Sequence, residues 1–161
     1  MVRSIARVVL LLAATASVGA AAESVLQFDA KGELKRPDDY RGWVFLTAGL
    51  GMTYGPNAPR AGQPAPFSNV FVNPDGYREF MKTGKWPDGT MFVLEIRQAL
   101  ETVSINNGGR TQGDVVALEA SVKDSKRFPD GGWAYFGFDD RAGRKPSAAP
   151  FPRMATCYAC H

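Results

Sequence analysis

Apolar and polar positions alternate with a period of two in several short runs between Arg41 and Phe138, the spacing that sends successive side chains to opposite faces of a strand. RGWVFLTAG (Arg41 to Gly49) and NVFV (Asn69 to Val72) are short β-rich runs bounded by Gly, Pro and Asn. In TMFVLEIRQAL, Phe92, Leu94 and Ile96 fall on one face and Met91, Val93, Glu95 and Arg97 on the other. The VVALEASV run repeats the pattern, with Val116, Leu118, Ala120 and Val122 expected inward and Glu119 and Ser121 outward. WAYFGF (Trp133 to Phe138) is an aromatic strand.

One stretch breaks the two-residue period. In NPDGYREFMKTG, Asn73 is a cap, Pro74 suits the first turn, Tyr77, Phe80 and Met81 recur at helical spacing, and Gly84 is a stop. WPDGT is a turn, INNGGRTQG a polar glycine-rich loop, KDSKRFPDGG a connection, and DRAGRKPSAAPFPR an extended proline-rich lead-in. About five strands joined by turns rather than crossover helices predict an α+β fold, a mainly antiparallel sheet with one or two flanking helices.

The N-terminus follows another rule. Arg3 and Arg7 precede an apolar run from Val8 to Ala14, and small residues continue to Ala20-Ala21-Ala22, the layout of a cleavable export signal. The run is shorter than the ~20 apolar residues that span a bilayer, so the expected organisation is a signal peptide over 1–22 and one periplasmic domain over 23–161, with no membrane attachment after cleavage. Removing Arg3 and Arg7 leaves 17 of the 19 basic residues against 16 acidic ones, a formal charge of +1. The basic character therefore gives no reason to expect a nucleic-acid partner.

The chemistry lies in CYACH, Cys157 to His161. In the c-type haem pattern each thiol adds to a haem vinyl group and the histidine ligates the iron. A thioredoxin-like CxxC fits poorly, because it opens a helix early in a βαβ unit and little βαβ pattern exists here. Covalent haem c, one per chain, is the expected cofactor, with His161 the metal ligand. His161 is also the sole histidine, so bis-histidine ligation within one chain is impossible. A sixth ligand would come from Met52, Met81 or Met91, or from a lysine, while Met154 lies too close to Cys157 to reach the opposite face. Methionines at such places are more often core filler, so a five-coordinate iron is expected.

TGKWPDGTMFVLEI, LEASVKDSKRF, GGWAYFGF and the late CYACH, in that order, resemble the cytochrome P-460 family, which includes the cytochromes c′-beta; the resemblance runs from about Tyr40 to His161. It implies a periplasmic, usually homodimeric, mono-haem protein with thioethers at Cys157 and Cys160 and a proximal His161. Two departures stand out. The family's lysine that cross-links to the haem, tied to hydroxylamine oxidation, aligns with Leu94, which has no amine. Family members also usually continue beyond CxxCH with a segment that packs on the domain, whereas this sequence stops at His161.

Leu94, Phe92 and Phe136, with Phe138, are the expected apolar cover over the open iron face. A dry pocket of that kind admits neutral diatomic molecules and disfavours anions. The family's distal arginine aligns near Ser68 and Asn69, and Glu95 is expected to be a solvated strand residue, so no acid–base pair for peroxide chemistry is evident. The leading expectation is a haem protein that binds nitric oxide or carbon monoxide. A redox enzyme acting on hydroxylamine, nitric oxide or peroxide, and an electron-transfer cytochrome with a periplasmic redox partner, are the alternatives.

Overall fold

The computed structural model describes residues 24–52, 64–101, 105 and 108–161. Residues 1–22, expected to be a signal peptide, lie outside the described residues. Among the described residues, nine strands and two α-helices follow in order, with a 3-10 turn at Tyr40–Gly42 before β2: β1 (Leu34–Lys35), β2 (Val44–Leu50), β3 (Phe67–Val72), α1 (Pro74–Thr83), β4 (Met91–Leu100), β5 (Thr111–Lys123), β6 (Trp133–Gly137), β7 (Asp139–Asp140), β8 (Gly143–Arg144), β9 (Ser147–Ala148) and α2 (Cys157–Cys160). β2 to β6 form a five-stranded antiparallel meander in sequence order, and β1 pairs with β9. The α+β, mainly antiparallel architecture expected from the alternating runs is the one observed.

Helix α1 starts at Pro74 and ends at Gly84, whose φ of 68° is a left-handed stop. Asn73 does not cap it through its side chain. That amide instead donates to the Gly89 carbonyl at 3.2 Å and accepts the Met91 N–H at 2.8 Å, tying the helix start to the start of β4.

The two faces of the sheet are buried by different means. One carries Met91 and Val93 of β4, Leu118, Ala120 and Val122 of β5, and Ala134 and Phe136 of β6, packed with Leu34, Tyr40, Trp43, Phe138 and Ala148 into the hydrophobic core. Each large side chain buried there stabilises the fold by about 1.5–3 kcal/mol. The N-terminal segment covers this face, with Arg127 laid on the Phe28 ring 3.7 Å from its centroid. Val116, expected inward, is 46% exposed. The cause is length: β6 pairs with β5 only from Glu119 to Lys123, so the first half of β5 runs past the cover.

Glu95 departs from the solvated role expected for it. It is 1% exposed, because it shares its face with Met91 and Val93, and that face is the core. Its carboxylate accepts from the Tyr40 hydroxyl, from Arg41 at 2.6 Å, and from Asn69 and Arg97 at 3.2 Å each. Burial pushes the Glu95 carboxyl up, yet these hydrogen bonds together outweigh it and hold the group below the usual carboxylate range. Burial, and then the hydrogen bond to Glu95, push the Tyr40 hydroxyl up to about 12.

Candidate functional site

The chain reaches the CxxCH motif by crossing back over β6. Pro150 bridges to Phe136, and the Phe151 N–H donates to the Tyr135 carbonyl at 2.8 Å. Gly137 permits this crossing: a Cβ there would stand 2.7 Å from Cζ of Phe151, so the ring occupies space that another residue would fill. Turns continue from Ala155, Tyr158 and Ala159, whose N–H groups donate to the Pro152, Ala155 and Thr156 carbonyls in turn, at 2.8–3.1 Å. Cys157 to Cys160 then make one helical turn, and the His161 N–H donates to the Cys157 carbonyl at 3.2 Å.

That turn puts the motif against a cavity of about 680 Å³. Cys157, Cys160 and His161 line one side of it. Residues three apart on a helical turn share a side, which places both thiols on the cavity; both are free. Tyr135 steadies the turn from β6, with its ring 4.8 Å from that of Tyr158 and 5.8 Å from that of His161.

The facing wall is the second face of the sheet. Val70, Leu94, Glu119 and Gly137 are paired in one row across β3 to β6, and Phe92, Ser121 and Tyr135 in the next. All of these except Gly137 line the cavity. Trp86 and Trp133 add to it and clasp Phe92, with ring centroids 4.7 and 5.9 Å from its own. Phe80 of α1 stacks on Trp86 from behind at 3.9 Å. The wall is therefore largely aromatic and aliphatic, with few polar groups.

The six residues singled out from sequence, Phe92, Leu94, Phe136, Cys157, Cys160 and His161, all border this one cavity. Phe136 does so differently from the rest. Its register with Ala120 puts it on the core face, where it is fully buried and meets Phe128 edge-on at 6.2 Å. Phe138 shares that parity and is also in the core. The β6 side chains turned to the cavity are Trp133 and Tyr135, which the sequence reading passed over. Their signal was the alternation within WAYFGF, taken with the wrong parity.

Glu119 is the other residue missed. Its expected outward face is the cavity face, beside Leu94. Burial, and then the charge of Asp139, raise its carboxyl above the usual range. An acid–base group therefore stands in the cavity wall after all. Asn69, on the opposite face, bonds Glu95 and Gln112 instead. None of the methionines considered as iron ligands lines the cavity: Met91 is in the core, and Met52, Met81 and Met154 are 70%, 64% and 91% exposed.

The geometry fits a haem. Its volume lies within the roughly 300–1,000 Å³ of organic-ligand sites, and such sites pair an apolar lining with a few placed polar groups; here these include two thiols, one imidazole, one carboxyl and the hydroxyl residues Ser121, Tyr135 and Thr156. Residues 37–161 match the family model for cytochrome P460. The chain belongs to the cytochrome P460 family. No curated protein matches it. Membership makes it a haem cytochrome, and places within its matched span the whole cavity wall and the motif. Among the described residues, no helix is long and apolar enough to cross a membrane.

Proposed function

We propose that this cytochrome holds one haem c through thioethers to Cys157 and Cys160, with His161 as the proximal iron ligand, and that it binds a small neutral molecule such as nitric oxide or carbon monoxide on the other face. One observation carries the reading. Two thiols and an imidazole share one side of a cavity whose remaining described lining offers no methionine, lysine or second histidine. The bound haem supplies an iron that can take a diatomic ligand.

The residues of the chain do the rest. His161 supplies a ring nitrogen, held by the turn that also presents the thiols. Leu94, Val70 and Phe92 give the opposite wall an apolar surface, which excludes water and disfavours ions that would lose their hydration. The Tyr135 ring lies beside the His161 ring, with 5.8 Å between their centroids. We further propose a periplasmic location after cleavage of residues 1–22, from the Arg3 and Arg7 charges before the apolar run Val8 to Ala14, and a homodimeric state, which the resemblance implies.

A second reading has an observation of its own. Glu119 carries a protonatable carboxyl in the cavity wall, which suits proton transfer in a redox reaction of a small nitrogen compound or peroxide. Leu94 argues against the hydroxylamine chemistry that relies on a cross-linking lysine. A redox partner in the periplasm belongs to this reading.

The proposal is tested by producing the protein in a periplasm with haem-maturation machinery and denaturing it. Haem that stays with the chain, and is lost together in Cys157→Ser/Cys160→Ser, is the expected outcome. Haem released from the unaltered chain by denaturant contradicts covalent attachment.

A further inference from the structure

Positive charge gathers at one end of the cavity and is missing along its wall. Among the described residues, the side chains lining it include one carboxyl, Glu119, and neither lysine nor arginine. A haem brings two carboxylates of its own, and burying an ionised carboxylate without a cationic or hydrogen-bonding partner is unfavourable. The wall beside Glu119 is thus a poor place for them.

The Trp133 end differs. A smaller cavity of about 280 Å³ adjoins there, sharing Trp133 and His161 with the large one and adding Asp130, Gly131, Arg153 and Tyr158. The Arg153 guanidinium lies over the Tyr158 ring, 4.5 Å from its centroid. Lys123, paired in register with Trp133, sets its ammonium 5.8 Å from the indole centroid and donates to the Trp86 carbonyl at 2.5 Å. Trp133 and the Glu119–Gly137 row are four positions apart along β6, about 13 Å of strand.

We propose that the Trp133 end of the site receives the haem carboxylates, with Arg153 as their principal partner and Lys123 as the second. This rests on the reading that Cys157, Cys160 and His161 hold haem c. Arginine suits the task because its planar fork pairs with a carboxylate through two hydrogen bonds. Stacked on Tyr158, the fork has its plane fixed by the same turn that carries the cysteines, so attachment and carboxylate pairing are set by one element. The other charged or titratable groups facing this end are Asp130, from the connection before β6, and Tyr158 and His161, from α2 and its end. Asp88 also feels the charge of Lys123, and accepts the Ser125 hydroxyl and N–H at 2.9 and 3.0 Å. Asp130 opposes the two cations without cancelling them.

The test is the reduction potential of the mature haem protein as a function of pH, for the parent, Arg153→Gln, Arg153→Lys and Lys123→Gln. A carboxylate that ionises near the iron lowers the potential, and a cation paired with it moves that step to lower pH. Arg153 is exposed, so its replacement leaves the core intact. In Arg153→Gln the step moves up by about one pH unit or more, in Lys123→Gln by less, and in Arg153→Lys it stays near the parent value. Superimposable curves for the parent and Arg153→Gln, with haem covalently present, overturn this proposal alone. A parent chain that carries no covalent haem overturns the reading of the site as well.

Discussion

The Phe151 ring fills the place of a missing side chain at Gly137, with Cζ 2.7 Å from where a Cβ would stand. The contact fixes where the lead-in to Cys157 leaves the sheet, and so where the motif meets the cavity. Gly137→Ala forces the ring aside at an overpacking cost of about 1–3 kcal/mol. We expect a lower urea midpoint and a smaller fraction of chains carrying haem. Equal haem content in Gly137→Ala and the parent would show that the contact does not position the motif.

Glu119 links the cavity to pH. Its carboxyl is raised above the ordinary value of 4.5 by burial and then by Asp139, so the folded chain binds its proton more tightly than the unfolded chain. Stability is therefore lost as pH rises from the unfolded value through the raised folded one. Glu119→Gln removes that loss. The difference in urea midpoint between the variant and the parent grows across this window in favour of the variant, and is constant above it.

Glu95 behaves with the opposite sign. Its folded carboxyl is held below 4.5, so its contribution is present above the unfolded value and is lost as pH falls through the depressed folded one. Glu95→Ala leaves Arg97 and the Tyr40 hydroxyl without their buried acceptor. The expected cost at neutral pH is about 2–3 kcal/mol, at or below the low end for a broken buried pair because the Arg41 side chain is 56% exposed and partly screened. Urea unfolding of Glu95→Ala measures it, and a cost near zero would mean that the network contributes nothing net.

Leu94 stands beside Glu119 in the β4–β5 register and borders the cavity. A lysine there would bring an amine to the cavity wall. Leu94→Lys, matured with haem, is expected to show an altered Soret band relative to its parent. An unaltered spectrum would remove Leu94 from the neighbourhood of the macrocycle.

Much of this was legible in the chain. The period of two marked the strands, the Pro74 and Gly84 pair marked α1, and CYACH marked the site without any fold. What escaped was which face is which. In MFVL both parities are apolar, because one face meets the core and the other a cavity sized for an organic group, so hydrophobicity alone cannot rank them. The same ambiguity put Phe136 with the cavity-facing side chains, although it borders the cavity from the core face, and overlooked Trp133 and Tyr135. It also read Glu119 as outward, since an alternating polar residue marks solvent only when that face meets solvent. Glu95 was hidden for another reason: its donors Tyr40 and Arg41 are 55 and 54 residues away in the chain, and only the β2 to β4 meander brings them together.

The central claim is an iron with one protein ligand facing an apolar wall. The optical spectrum of the ferrous protein, before and after nitric oxide is added, tests it most directly. The account predicts a high-spin c-type spectrum that shifts on adding the gas. A low-spin spectrum that nitric oxide leaves unchanged would mean that a sixth protein ligand closes the site, and would contradict it.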